Sequence, residues 1–148
     1  MTLLRWSIAV TYALLIILGP GFARVHAQGT SEPQPVQLPA GAATLEGVPT
    51  VRIDTSQAGA TRKVLAPGDA KQQRLTISKA GSQYYWASRE NKLLQLNSSG
   101  PYTYLSAEPG SYIRFTRIND RIDYVEHVDS PLGSVTWWGE LRIVVGKP

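Results

Sequence analysis

The chain has 148 residues, 43% of them hydrophobic, and it contains 15 basic and 11 acidic residues. Because it has no cysteine, the sequence excludes disulfide bonds, thiol catalysis, lipid anchoring at cysteine and cysteine zinc sites. The two signs of charge are interspersed, without the concentrated basic face of a nucleic-acid-binding protein, so no nucleic acid is expected as a partner.

Residues 1–27 have the order of a secretory signal peptide. Arg5 precedes an apolar run over residues 8–18, a glycine-proline-glycine segment follows, and the small residue Ala27 ends it. The run is shorter than the ~18 apolar residues of a membrane-spanning helix, so cleavage is favoured over anchoring. We predict a secreted or periplasmic protein with no membrane span after cleavage. The lack of disulfides favours a bacterial envelope.

Residues 28–60 have the composition of a flexible linker. They contain four prolines, several glycines and no aromatic side chain, so they bury too little apolar surface to offset their ordering entropy. Only residues 48–53 suit a short strand. The predicted domains are therefore a signal peptide over 1–27, a linker over 28–60 and one folded domain over 61–148.

The folded part is predicted to be all-β. Turn-forming residues recur along it, separated by short runs rich in Val, Ile, Thr and Tyr. This spacing is typical of a small antiparallel meander that forms a β-sandwich or a small β-barrel. No helical period is present. The predicted strands lie at residues 61–66, 73–79, 83–89, 92–97, 102–107, 111–118, 121–129 and 134–145.

The loops between the last three strands predict a register. A two-residue turn at Asn119 and Asp120 pairs Phe115 with Tyr124, and a four-residue loop after the next strand pairs Tyr124 with Gly139. Tyr124 is then expected to cover the bare backbone of Gly139. This register gives one apolar face: Ile113, Phe115, Ile122, Tyr124, Val128, Val135, Trp137, Leu141, Ile143 and Val145.

The opposite face is polar with aromatic residues, and we predict it to be a contact surface. Arg114 is expected opposite Val125 and Trp138, where a cation–π contact is the structural alternative to ligand binding. In a second aromatic segment, exposed Tyr85 beside Arg89 suits sugar or peptide recognition, although Arg89 pairing with Glu90 would explain that turn without a ligand. The candidate ligand-binding residues are Tyr112, Arg114, His127, Trp138, Tyr85 and Arg89.

Glu126 falls on the apolar face between Ile113 and Trp137. An unpaired buried carboxylate has a raised pKa, as a general acid does, but a position at the sheet rim, in reach of water or an arginine, is favoured. His127 points to the other face, so the two side chains do not converge. No catalytic residue, metal site or cofactor is predicted.

The sequence thus predicts an exported, non-enzymatic binding or interaction module whose partner is a polysaccharide or an envelope protein. One alternative is a small secreted hydrolase centred on Glu126 or His127. Another is a structural component of an envelope or appendage. The oligomeric state stays open.

Signal cleavage has a direct test. Protein purified from the culture medium or the periplasm should begin near Gln28, and its intact mass should match that start. Recovery of the full-length chain from the membrane fraction would instead indicate a retained anchor.

Overall fold

The computed structural model describes residues 32–108 and 110–146. The predicted signal peptide and the start of the predicted linker lie outside these residues. Within them the chain forms nine strands and one short helix: β1 (Ala43–Ser56), β2 (Gly59–Val64), α1 (Pro67–Gln72), β3 (Leu75–Ala80), β4 (Gln83–Trp86), β5 (Lys92–Ser99), β6 (Tyr102–Glu108), β7 (Ser111–Ile118), β8 (Arg121–Ser130) and β9 (Gly133–Val145). The all-β prediction is confirmed.

The strands form one antiparallel barrel, the second of the two predicted architectures. From β3 to β9 each strand pairs with the next along the chain, and β1 closes the ring of eight by pairing with both β3 and β9. The second half of β1 instead pairs with β2 on that side. β2 therefore lies outside the ring of eight strands.

The predicted linker is wrong for residues 43–60, because they form β1 and the start of β2. Leu45 in β1 has no exposed surface. Upstream, Gln34 pairs with Arg117, and Val36 exchanges two 3.1 Å hydrogen bonds with the Thr103 hydroxyl. The composition misled because this segment gains its order from pairing with distant strands, which needs no aromatic side chain of its own.

Large side chains fill the barrel interior, as expected where inward and outward residues alternate along each strand. The fully buried residues include Leu45, Leu75, Ile77, Trp86, Leu105, Ile113, Phe115 and Tyr124. A smaller cluster of Leu65, Ala70 and Trp137 brings α1 against the sheet. The sequence did not predict α1, since six residues are too few to display a helical period, although Pro67 suits a helix start.

The predicted register of β7, β8 and β9 is confirmed. Phe115 pairs with Tyr124, and Tyr124 pairs with Gly139. The predicted apolar face is buried or half-buried along most of its length, while Val145, at the end of β9, is exposed. The predicted strand bounds are also close, and β4 differs most because it ends at Trp86.

Gly139 is needed for a reason that the register alone does not reveal. A Cβ there would lie 2.1 Å from the Val48 carbonyl oxygen, because the β1 backbone passes directly over Gly139. The tight neighbour is therefore β1 and not the Tyr124 ring. That ring packs on Gly47, where a Cβ would lie 2.6 Å from the ring carbon Cε1. Two glycines thus permit the close approach of β1.

This close approach predicts an asymmetric response to added methyl groups. Gly139→Ala should lower the free energy of unfolding by on the order of 3 kcal/mol, because a backbone atom must move. Gly68→Ala is the matched control: apart from its own helix backbone and chain neighbours, no described residue has an atom within 4 Å of its Cβ position in α1, so stability should stay unchanged or rise by up to about 1 kcal/mol. Equal denaturation midpoints for the two variants would contradict this account of β1.

Candidate functional site

Four of the six predicted binding residues lie together on the outer face of β7, β8 and β9. Tyr112 pairs with His127 in one row across the sheet, and the next row runs from Arg114 through Val125 to Trp138. The side chains of these four residues are half-buried. Their convergence follows from the register and from the alternation of side chains along each strand.

An aromatic band crosses the outer face from β6 to β8. The His127 ring stacks on Tyr112 with centroids 5.2 Å apart, Tyr112 lies 6.1 Å from Tyr104, and Tyr104 lies 6.2 Å from Tyr102. The two β6 tyrosines were not among the predicted residues. The sequence pattern that could have identified them is the alternation in Tyr102-Thr103-Tyr104-Leu105, because it places both tyrosines on one face of the strand.

Arg114 makes a cation–π contact, although with a different ring from the one expected. Its guanidinium carbon lies 4.6 Å from the centroid of Tyr102, whereas the sequence suggested Trp138. Arg114, Tyr102 and Trp138 all line one groove on this face.

This outer groove has a volume of about 430 Å³ and is bounded by segments far apart in the chain. β7, β8 and β9 provide most of the wall, and β1, β6 and the segment before β1 complete it. Its lining includes Thr50, Tyr102, Arg114, Asp123, Trp138 and Glu140. The predicted register includes only part of this set, because Thr50 and Tyr102 lie on strands whose pairing the sequence does not predict.

Charges of both signs line the outer groove. Arg114 and Arg121 are basic, and Asp123 and Glu140 are acidic. Asp123 forms an ion pair with Arg121 at 2.7 Å, and its hydrogen bond and charge raise the pKa of Arg121. The groove therefore offers donors and acceptors in balance, beside two aromatic rings.

The other two predicted binding residues are not part of this surface. Tyr85 lies on the outside of β4, where its hydroxyl donates to Gln83 Oε1 at 2.6 Å. Arg89 extends instead toward the barrel interior, and its Nη2 lies 3.0 Å from Glu126 Oε1. Tyr85 and Arg89 therefore do not form the joint exposed site that the sequence suggested. The partner of Arg89 is Glu126 and not the neighbouring Glu90.

Glu126 is fully buried. The register position is as predicted, but the carboxylate lies inside and not at a rim. Oε1 also accepts a 3.1 Å hydrogen bond from Trp86 Nε1, whereas Oε2 has no hydrogen-bond partner among the residues that the structure describes. Burial raises the pKa of Glu126 to about 7, against the lowering effects of Arg89 and the Trp86 hydrogen bond.

The Arg89 guanidinium is held on three sides. Besides the ion pair with Glu126, its Nη1 donates to the Ser88 carbonyl at 3.1 Å, and its carbon lies 4.9 Å from the centroid of Trp137. The indole of Trp137 is fixed in turn, because its Nε1 donates to Gln73 Oε1 at 2.8 Å. These contacts connect the turn after β4 with β8, β9 and the residue after α1.

The two residues proposed for hydrolysis lie on opposite faces of β8. Glu126 has no surface open to a substrate, and His127 bonds through Nδ1 to the Thr136 hydroxyl at 2.8 Å. Among residues 32–108 and 110–146, no three His, Asp or Glu side chains lie close enough to hold a metal ion.

No family model, curated protein or solved structure matches the chain. Within the part of the chain that the structure describes, no helix has the length and hydrophobicity needed to cross a membrane.

The raised pKa of Glu126 predicts that stability depends on pH. The folded pKa of about 7 lies above the ordinary 4.5, so the folded state binds the proton more tightly than the unfolded state. This contribution is fully present below about pH 4.5 and is lost as the pH rises through about 7. It amounts to on the order of 3 kcal/mol.

Urea denaturation of the wild type and Glu126→Gln at about pH 5 and about pH 8 measures this effect. The wild type should lose stability toward the higher pH, and Glu126→Gln should lose markedly less. Glu140→Gln, at an exposed position, should behave like the wild type. Parallel changes in the wild type and Glu126→Gln would show that Glu126 does not titrate in this range.

Proposed function

We propose that the protein is an exported, non-enzymatic binding module that recognises a neutral polysaccharide in the outer groove. The observation that carries this proposal is the juxtaposition of Trp138, the Arg114–Tyr102 pair and balanced charged groups in one groove. Export itself rests on the signal-like sequence of residues 1–27.

Aromatic rings beside hydrogen-bonding groups suit a sugar. A sugar ring has apolar C–H faces that pack on aromatic side chains and a rim of hydroxyls that both donate and accept hydrogen bonds. Trp138 and Tyr102 provide the rings. The Arg114 guanidinium donates, and the Asp123 and Glu140 carboxylates accept.

The charge balance favours a neutral ligand. An acidic polysaccharide would be repelled by Asp123 and Glu140, and a basic one by Arg114 and Arg121. Hydroxyl groups instead bond to charged side chains of either sign. A neutral polymer also suits the open shape of a groove whose walls come from several strands.

Binding is favoured over hydrolysis by the position of the acidic groups. Glu126, whose carboxyl pKa is raised by burial to about 7, is sealed inside the barrel. No histidine is present among the described residues that line the outer groove. An envelope protein is the other partner expected from the sequence, and the experiment separates it from a polysaccharide.

Electrophoresis in native gels containing a neutral β-glucan, mannan or starch tests the proposal. The wild type should be retarded in at least one gel, and Trp138→Ala should weaken that binding by about 1 kcal/mol or more. Tyr85→Ala is the matched control, because Tyr85 lies on β4, outside the outer groove. This control should migrate like the wild type.

Denaturation curves check that the loss of binding does not reflect unfolding. Trp137 lies on the buried face, so Trp137→Ala should lower the free energy of unfolding by on the order of 3–5 kcal/mol. Trp138→Ala should lower it far less. The proposal is wrong if the wild type is retarded in none of the gels, or if Trp138→Ala binds as the wild type does. Specific capture of one envelope protein without retardation would favour the protein partner.

A further inference from the structure

A second cavity, of about 280 Å³, lies where the turn after β4 meets the adjacent ends of β6, β7 and β8. This end cavity shares no lining residue with the outer groove. It has an apolar part formed by Trp86, Ala107 and Val128. Its polar part contains four charged side chains: Arg89, Glu90, Lys92 and Asp129.

Arg89 is fixed in place before any ligand arrives. The ion pair with buried Glu126, the bond to the Ser88 carbonyl and the Trp137 ring hold its guanidinium, yet 28% of the side chain stays exposed. A guanidinium has five N–H donors, so these contacts leave donors for a ligand carboxylate. Such charge-assisted bonds are about twice as strong as neutral ones.

The turn places consecutive charged residues around the same cavity. In an extended strand, Arg89 and Glu90 would point to opposite faces. Here Glu90 and Asn91 have φ values of 57° and 53°. This is a left-handed backbone conformation that residues other than glycine seldom adopt. Both Arg89 and Glu90 consequently line the end cavity.

The mixture of charges restricts the ligand. A simple anion would meet the carboxylates of Glu90 and Asp129, and a simple cation would meet Arg89 and Lys92. A molecule with both charges avoids both conflicts. A volume of about 280 Å³ limits the ligand to a small molecule. The apolar part requires that it also have a hydrocarbon group.

We infer that the end cavity binds an apolar α-amino acid as its zwitterion. The ligand carboxylate bonds to Arg89, and the ammonium group faces Glu90 and Asp129. The hydrocarbon side chain packs on Trp86, Ala107 and Val128. Glu126 acts as a positioning residue, because it touches Arg89 and not the cavity. This inference is independent of the polysaccharide proposal.

Three ligands of matched shape test the charge requirement. Leucine has both charges, 4-methylpentanoate lacks only the ammonium group, and 3-methylbutylamine lacks only the carboxylate. In titrations followed by amide chemical shifts, leucine should bind at least tenfold more tightly than either analogue, with shifts concentrated around residues 86–92 and 128–129. Equal binding of all three ligands, or no shifts around the cavity, would overturn the inference.

Variants at the two carboxylates test the placement of the ammonium group. Glu90→Gln and Asp129→Asn alter exposed side chains, so both proteins should fold, and each should bind leucine about tenfold more weakly. Glu140→Gln, in the outer groove, is the matched control and should bind leucine as the wild type does. Arg89→Gln should abolish binding, but it also leaves Glu126 buried without its cation, so the carboxylate variants are decisive.

Retardation in polysaccharide gels should be the same for Glu90→Gln and the wild type, which separates the two sites. If folded Glu90→Gln and Asp129→Asn both bind leucine as tightly as the wild type, the end cavity does not hold a zwitterion and the inference is wrong.

Discussion

Closure of the barrel by β1 is the constraint on which the rest of the structure depends. The first half of β1 pairs with β3 and β9, and its second half pairs with β2 and β9. The change of partner coincides with a bulge between Pro49 and Val51, and bulges let a strand bend sharply. The bend brings the β1 backbone against Gly139, and it places Thr50 in the wall of the outer groove.

Inside the ring, the Glu126–Arg89 pair is the main departure from an apolar core. Burying a carboxylate is unfavourable, and one arginine with one indole hydrogen bond offsets only part of that desolvation, as the raised pKa of Glu126 shows. The same pair fixes Arg89 against Trp137 and so connects the turn after β4 with β8 and β9. The buried Glu126–Arg89 pair is therefore electrostatically unfavourable, but it fixes the positions of the side chains at this end of the barrel.

Local sequence signals predicted the parts of the fold that local interactions determine. The Asn119-Asp120 turn was recognisable because Asn tolerates the positive φ of 56° that it adopts, and the β7–β8–β9 register followed. The pairing of Leu45 with Ile77 and Ile143 joins distant segments, for which neither composition nor periodicity gives a signal. The local register predicts the correct face for Glu126. The position of Arg89 depends on a contact between distant segments, so the surface that the sequence predicts for Arg89 is wrong.

The filled interior decides where a ligand can bind. Trp86, Phe115 and Tyr124 occupy the space that a larger barrel would leave for a ligand, so binding surfaces must form outside the ring or at its end. Both cavities lie beside a segment of irregular backbone. For the outer groove this is the bulge at Thr50, and for the end cavity it is the left-handed turn at Glu90. Irregular backbone, held by a rigid and fully packed barrel, is thus what creates concave surface in this protein.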